Sequence, residues 1–210
     1  MTTVGRWSPN KVRKRILDGT WVASSDDFPS NGGLAVMVPS SVAVTGGGSS
    51  ASVGTFGGVT FTSAATISLN GVFTSEFDNY MIMIRGSAST GVNLEGRLRV
   101  SGTDASGSDY VHQYLDANDA TLSSGRSAAG TKFRFAGLSA TQRSGYTMFA
   151  YGPNLTQPTA FSSISADDYL SAYISDWTAT HSLSTSYDGL TIIPTTGTVT
   201  GLVVVYGLGN

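Results

Sequence analysis

Few side chains in this sequence are of types that do chemistry, and their spacing assembles no familiar catalyst. The two histidines, His112 and His181, stand 69 residues apart, and there is no H-E-x-x-H pair, Walker loop, G-x-S-x-G elbow or dinucleotide fingerprint. Alternation within Asp109-Tyr110-Val111-His112-Gln113-Tyr114 sets His112 on the strand face of Tyr110 and Tyr114, a surface or half-buried position. His181, followed by Ser182 and Ser184, reads as a loop residue. Two oxygen-rich loops, Asp104 to Asp109 and Asp116 to Asp119, offer hard oxygen ligands of the kind calcium takes. Neither has the full spacing of a calcium loop, and both read as turns in which Asp and Asn satisfy their own backbone. Asp167 and Asp168 are carboxylates of the kind a glycoside hydrolase pairs across roughly 5–10 Å; nothing in the sequence marks a partner at that distance, and no enzyme is expected. Tyr169, Tyr173, Trp177 and Tyr187 fall close together and could stack on sugar rings. Core packing is the competing use for these aromatics, and host-glycan contact is the second reading of the chain.

The absence of cysteine removes disulfides, zinc-thiolate sites and thiol catalysis, so stability must come from burial or association. No cofactor is expected. No apolar run approaches the length of about 20 residues that spans a bilayer. The N-terminus has no apolar stretch of secretory type, so synthesis in a cytoplasm without a membrane anchor is expected. Charge is distributed unevenly. Arg6, Lys11, Arg13, Lys14 and Arg15 are five of the twelve basic residues, and no acidic residue precedes Asp18. From residue 16 onward seven basic residues face fourteen acidic ones, which leaves a body of −7 behind a basic arm. The pI of 5.5 argues against a nucleic-acid-binding body.

The elements that would hold any site follow from composition and rhythm. Charged residues make up 12% of the chain, against roughly 25% in an average soluble domain. Ser, Thr and Gly supply 81 of the 210 positions, so the surface is largely neutral hydroxyl. Residues 1–35 read as an anchor arm, basic and aromatic, with Trp7 and Trp21 as apolar contacts and a turn or two of helix near Asn10 to Asp18 that would order on a partner. Residues 36–58 carry Gly46-Gly47-Gly48, Gly54 and Gly57-Gly58 and read as a Gly-rich stalk.

From residue 59 to 210 short runs of period two recur between turn residues, the rhythm of a β-sandwich head. Thr66 to Leu69 ends at the turn dipeptide Asn70-Gly71. Tyr80, Ile82 and Ile84 share one face of a strand whose other face holds Met81, Met83 and Arg85. Leu94, Leu98 and Val100 form a buried face opposite Glu95, Arg97 and Arg99. Further strands are expected at 110–115, 131–135, 146–151, 159–164, 170–174, 189–193 and 201–206. Helical periodicity is nowhere sustained, so the fold class is all-β, an antiparallel sandwich of jelly-roll type. The segment Leu202 to Tyr206 is apolar on both faces, as in a central strand or one covered by another subunit.

The strings Tyr151-Gly152-Pro153-Asn154-Leu155-Thr156-Gln157-Pro158-Thr159-Ala160-Phe161, Thr180-His181-Ser182-Leu183-Ser184-Thr185-Ser186-Tyr187-Asp188-Gly189 and Val205-Tyr206-Gly207-Leu208 resemble small virion proteins of tailed bacteriophages. Ser68-Leu69-Asn70-Gly71-Val72-Phe73 and Phe77-Asp78-Asn79-Tyr80 share in the likeness, which covers roughly residues 40–210. It points to short fibre, minor-tail or head-decoration subunits. Such proteins dock through a short variable N-terminal peptide and project a β-rich trimeric head. The resemblance therefore implies a virion surface protein, homotrimeric, held to other virion proteins by Arg6, Trp7, Lys11, Arg13, Lys14, Arg15 and Trp21, with neither nucleic acid nor membrane as partner. The arm itself matches no motif of these proteins.

Overall fold

The computed structural model describes residues 33–118, 120–140, 144–166 and 174–209, and everything below concerns those residues. Residues 1–32 of the anchor arm, Arg6 to Trp21 included, lie outside them, as do Asp119, Asp167, Asp168, Tyr169 and Tyr173, while the arm's last residues Leu34 and Ala35 pair with Leu208 and Gly207 of the final strand. Sixteen strands follow one another with no helix among the described residues. In chain order they are β1 (Leu34–Met37), β2 (Ser41–Thr45), β3 (Ser50–Val53), β4 (Val59–Ala64), β5 (Thr66–Asn70), β6 (Asn79–Ala88), β7 (Val92–Val100) and β8 (Thr103–Asp104). The second half supplies β9 (Tyr110–Asn118), β10 (Thr121–Gly130), β11 (Phe133–Leu138), β12 (Ser144–Tyr151), β13 (Thr159–Ala166), β14 (Ile174–His181), β15 (Gly189–Pro194) and β16 (Val199–Leu208).

Ten strands form one sheet in the order β10-β9-β14-β13-β12-β6-β16-β4-β3, with β1 also paired to β16. Six form the other, in the order β11-β7-β15-β5-β2, with β8 on β7. Every pairing is antiparallel, as registers such as Met148↔Ile82 and Leu190↔Leu98 define. The smaller sheet lies along the larger: β11 packs over β13, β14 and β9, and β2 packs over β3 and β4. Period-two side chains from both inner faces meet in one continuous core that includes Phe61, Ile67, Leu69, Tyr80, Ile82, Leu98, Phe133 and Met148. The expected faces of β6 are observed, with Tyr80, Ile82 and Ile84 buried and Met81, Met83 and Arg85 outside.

Residues 36–58 are not a stalk. Their short apolar pieces are strands β1, β2 and β3, paired with β16, β5 and β4 respectively. The glycines that suggested a linker instead make the reversals. Gly46 and Gly48 hold φ of 122° and 74° in the β2–β3 turn, and Gly57 holds 75° in the β3–β4 turn, where its N–H donates to Gly54 O at 2.9 Å. Gly71 also takes positive φ, but its turn leads from β5 in one sheet to β6 in the other.

Two positions on β7 depart from expectation. Val100, at the strand end, is exposed, whereas Arg99 is buried on the charged outer face because β8 folds over it. There its guanidinium reaches Ser68 Oγ at 3.1 Å, Thr191 Oγ1 at 2.6 Å and Asn70 Oδ1 at 2.9 Å, and it pairs with Asp104.

Candidate functional site

Of the four residues singled out for glycan contact, the two that are described, Trp177 and Tyr187, are not where a sugar could reach them. Trp177 and Tyr187 are 4% and 2% exposed. Trp177 points inward from β14 and stacks on Tyr114 with ring centroids 4.6 Å apart. Tyr187 packs edge-on against His181, its hydroxyl 3.3 Å from His181 Nδ1. Neither aromatic face is free, and both belong to the packing of the inner layer. His181 is likewise no loop residue. It ends β14, is fully buried, and lies 4.3 Å from the Tyr110 ring. Burial pushes its pKa down, the nearby Asp109 opposing.

His112 does sit half-buried on the face of Tyr110 and Tyr114. Its pKa is lowered by burial and then by the Arg134 guanidinium. Asp104 does not cap its own turn. Oδ1 accepts from Thr191 Oγ1 at 2.7 Å and pairs with Arg99, while Oδ2 stands 3.8 Å from Arg97. Among the described residues no group of three or more His, Asp or Glu side chains is placed to hold a metal.

What the fold does assemble is an apolar surface on the outer face of the ten-stranded sheet. Because strands pair in register, outward side chains line up in rows across neighbouring strands. One row runs Ile164, Thr147, Met83, Val204 over β13, β12, β6 and β16. The next runs Ser162, Phe149, Met81, Tyr206, Val36 and so reaches β1. Leu202 and Arg85 pair in a third row. Ile164, Thr147, Met83, Val204, Phe149 and Tyr206 of these rows, with Leu202 and Arg85, line a shallow concavity of about 670 Å³. Ile164 is 64% exposed, Met83 45% and Leu202 38%, values that mark large apolar side chains left in water. Sequence reading found the double apolar character of 202–206 but missed the partners. The signal was present in Tyr80-Met81-Ile82-Met83-Ile84, which is apolar in both phases of a period-two pattern.

A second feature lies where β10 and β9 overhang the edge of the smaller sheet. β11 is the last strand of that sheet and packs over part of β9, and beside it the inner side of the β9–β10 ribbon lines a groove of about 360 Å³. His112, Tyr114, Glu95, Lys132 and Arg134 are on its walls. No family model, no curated protein and no solved structure matches this chain.

Proposed function

We propose that this chain is a non-enzymatic structural subunit of a phage particle, a self-associating surface appendage that docks through its basic N-terminal arm and presents a jelly-roll head. The observation that carries the self-association is the apolar outer face of the ten-stranded sheet. At about 4.8 Å between strands and 3.4 Å per residue, its rows cover roughly 20 Å by 14 Å. That is the size of an apolar centre for an interface of about 800 Å² per partner, with the hydroxyl-rich strands around it as rim. Exposed apolar patches of this kind are characteristic of association surfaces. The occupant best matched to it is another copy of the chain: the patch is shallow, apolar, bordered by Ser and Thr side chains such as Thr147 and Ser165, and has Arg85 as the one charged side chain of its lining.

The jelly-roll assignment draws on connectivity. The chain alternates between the two sheets at β4, β5, β6 and β7 and again at β14, β15 and β16. The homotrimeric state and the phage setting rest on the resemblance of the turn and strand strings. The arm reading rests on the basic cluster before Asp18.

Light scattering on the full-length chain tests the proposal. A mass near three times 21.8 kDa is expected, falling to 21.8 kDa in Val204→Glu, which alters only an outward side chain. A wild-type monomer would refute self-association. A trimer unmoved by Val204→Glu and Met83→Glu together would refute the choice of face.

A further inference from the structure

The groove beside β11 has no part in the association surface, and its chemistry is different. Its base is aromatic. The Tyr114 ring is backed by Trp177 at 4.6 Å with 30° between planes, and His112 lies 6.5 Å from the same indole. The opposite wall is charged. Glu95 on β7 pairs with Lys132 and stands 3.6 Å from Arg134 Nε on β11. With Arg126 also on the groove lining, three cations thus face one carboxylate. Hydrogen-bonding capacity is left over as well. On its walls His112 Nδ1 and Arg134 Nε are buried without a hydrogen-bond partner. Buried polar atoms are normally satisfied, so a cluster of unsatisfied ones around a cavity marks the place where a ligand's polar groups would go.

Gly125 keeps the groove open. It pairs with Tyr114 across the β9–β10 ribbon, and a Cβ there would stand 2.5 Å from the Tyr114 ring. Any side chain at 125 would therefore push the aromatic platform out of place. The remaining rim is Ser127, Thr131 and backbone, with the Arg126 side chain as a further cation.

From these features we infer that the groove is a binding site for a single acidic pyranose, a sugar ring carrying one carboxylate. A pyranose has an apolar face for the Tyr114 ring and a circle of hydroxyls for His112, Glu95 and the hydroxyl rim. Its carboxylate answers the surplus positive charge of Lys132 and Arg134, where a guanidinium can bind bidentately. A cavity of about 360 Å³ fits one such ring. The site uses none of Tyr169, Tyr173 or Tyr187, and it stands or falls independently of self-association.

Saturation-transfer NMR and titration calorimetry on the full-length protein test this with three probes: methyl glucuronide, methyl glucoside and inorganic sulfate. The glucuronide is expected to bind in the millimolar range usual for a lone sugar ring, at least about tenfold more tightly than the glucoside. Lys132→Gln, a half-exposed change that leaves the fold intact, should erase most of that preference. Tyr114→Leu should abolish binding of both sugars, with thermal unfolding recorded alongside. Gly125→Val is a second blocking variant should Tyr114→Leu unfold. Equal affinity for glucoside and glucuronide would overturn the role given to the cations. Binding of sulfate with neither sugar would overturn the saccharide assignment, and no binding by any probe would overturn the site.

Discussion

Removing one oxygen atom, by Tyr110→Phe, should expose how the two sheets are tied together. Tyr110 lies on β9 of the larger sheet and is fully buried, yet its hydroxyl acts on β7 of the smaller one. Leu98 N–H donates to it at 2.9 Å, and it donates to Ala105 O at 3.0 Å. The reason lies in the sheet edge. β11 pairs with β7 only from Val92 to Gly96, so at Leu98 no strand is left to meet the backbone on that side. Leu98 O is satisfied by Ala105 N–H at 2.9 Å, and Leu98 N–H depends on Tyr110. The phenylalanine keeps the ring and its packing on Phe133 but leaves a buried N–H without an acceptor, at about 1–3 kcal/mol. Ala105 is only partly buried, so its carbonyl recovers water and adds little. A loss of about 2 kcal/mol is expected, read as a lower urea midpoint at unchanged slope. Amide exchange at Leu98 should accelerate more than at its neighbours. Tyr151→Phe, whose hydroxyl touches Ser162 Oγ at 3.2 Å on the surface, is the control and should change stability by less than about 0.5 kcal/mol. A Tyr110→Phe variant within that same margin, with Leu98 exchange unaltered, would refute the argument.

Arg99→Ala should cost about 3–5 kcal/mol in urea unfolding, because it strands Asp104, Ser68 and Thr191 around an emptied site; Arg99→Met together with Asp104→Ala should recover part of the loss. Acid should destabilise the fold through His181. Its folded pKa lies below the unfolded value of about 6.5, so its contribution is complete above that pH and is lost as pH falls toward the folded pKa. His181→Phe should flatten the slope of stability between about pH 6.5 and 5, and an unchanged slope would show that this histidine is not the group responsible. In the alkaline direction Tyr80 and Tyr110 are both raised by burial, so stability should fall as pH climbs past about 10, where the unfolded phenols ionise and the folded ones do not. Gly46→Ala should lower the midpoint of thermal unfolding, since φ of 122° disfavours a Cβ that would also stand 2.8 Å from Ser63 O.

Strands were legible in the sequence where their two faces differ in chemistry. β7 buries Val92, Leu94 and Leu98 under the facing sheet opposite Asn93, Glu95 and Arg97, and the period-two pattern records that burial. β10 escaped because the smaller sheet ends before reaching it. Only Gly125, Ser127 and Gly130 are even half-buried, and no apolar face was needed. β14 escaped for another reason: its inward residues are Ser175, Trp177, Ala179 and His181, so the buried face is mixed in polarity. The same mixture made Trp177 and His181 look like surface groups. Whether an aromatic faces solvent or core depends on which sheet lies above it, a long-range fact that local pattern does not carry. The reverse error was made at 36–58, where glycines needed for hairpin reversals resembled a linker. The groove was illegible for a similar reason, since Glu95 and His112 come from strands of different sheets and Lys132 from the connection between β10 and β11.

The last strand shows how a local pattern can encode two demands at once. Leu202 to Tyr206 is apolar in both phases, which a central strand or a subunit contact would each explain. β16 is indeed central, paired with β6 along one edge and with β4 and β1 along the other. Centrality accounts for Val203 and Val205, which are buried in the core beside Val199. It does not account for Leu202, Val204 and Tyr206, because hydrogen bonds to neighbouring strands place no demand on the polarity of the outer face. An antiparallel sheet with one solvated face would carry polar residues there, as β14 does with Asp176, Thr178 and Thr180. β14 does expose Ile174 at its start, but it has no outward run to match Leu202, Val204 and Tyr206, and that continuity is why the proposed contact is centred on β16 and its neighbours.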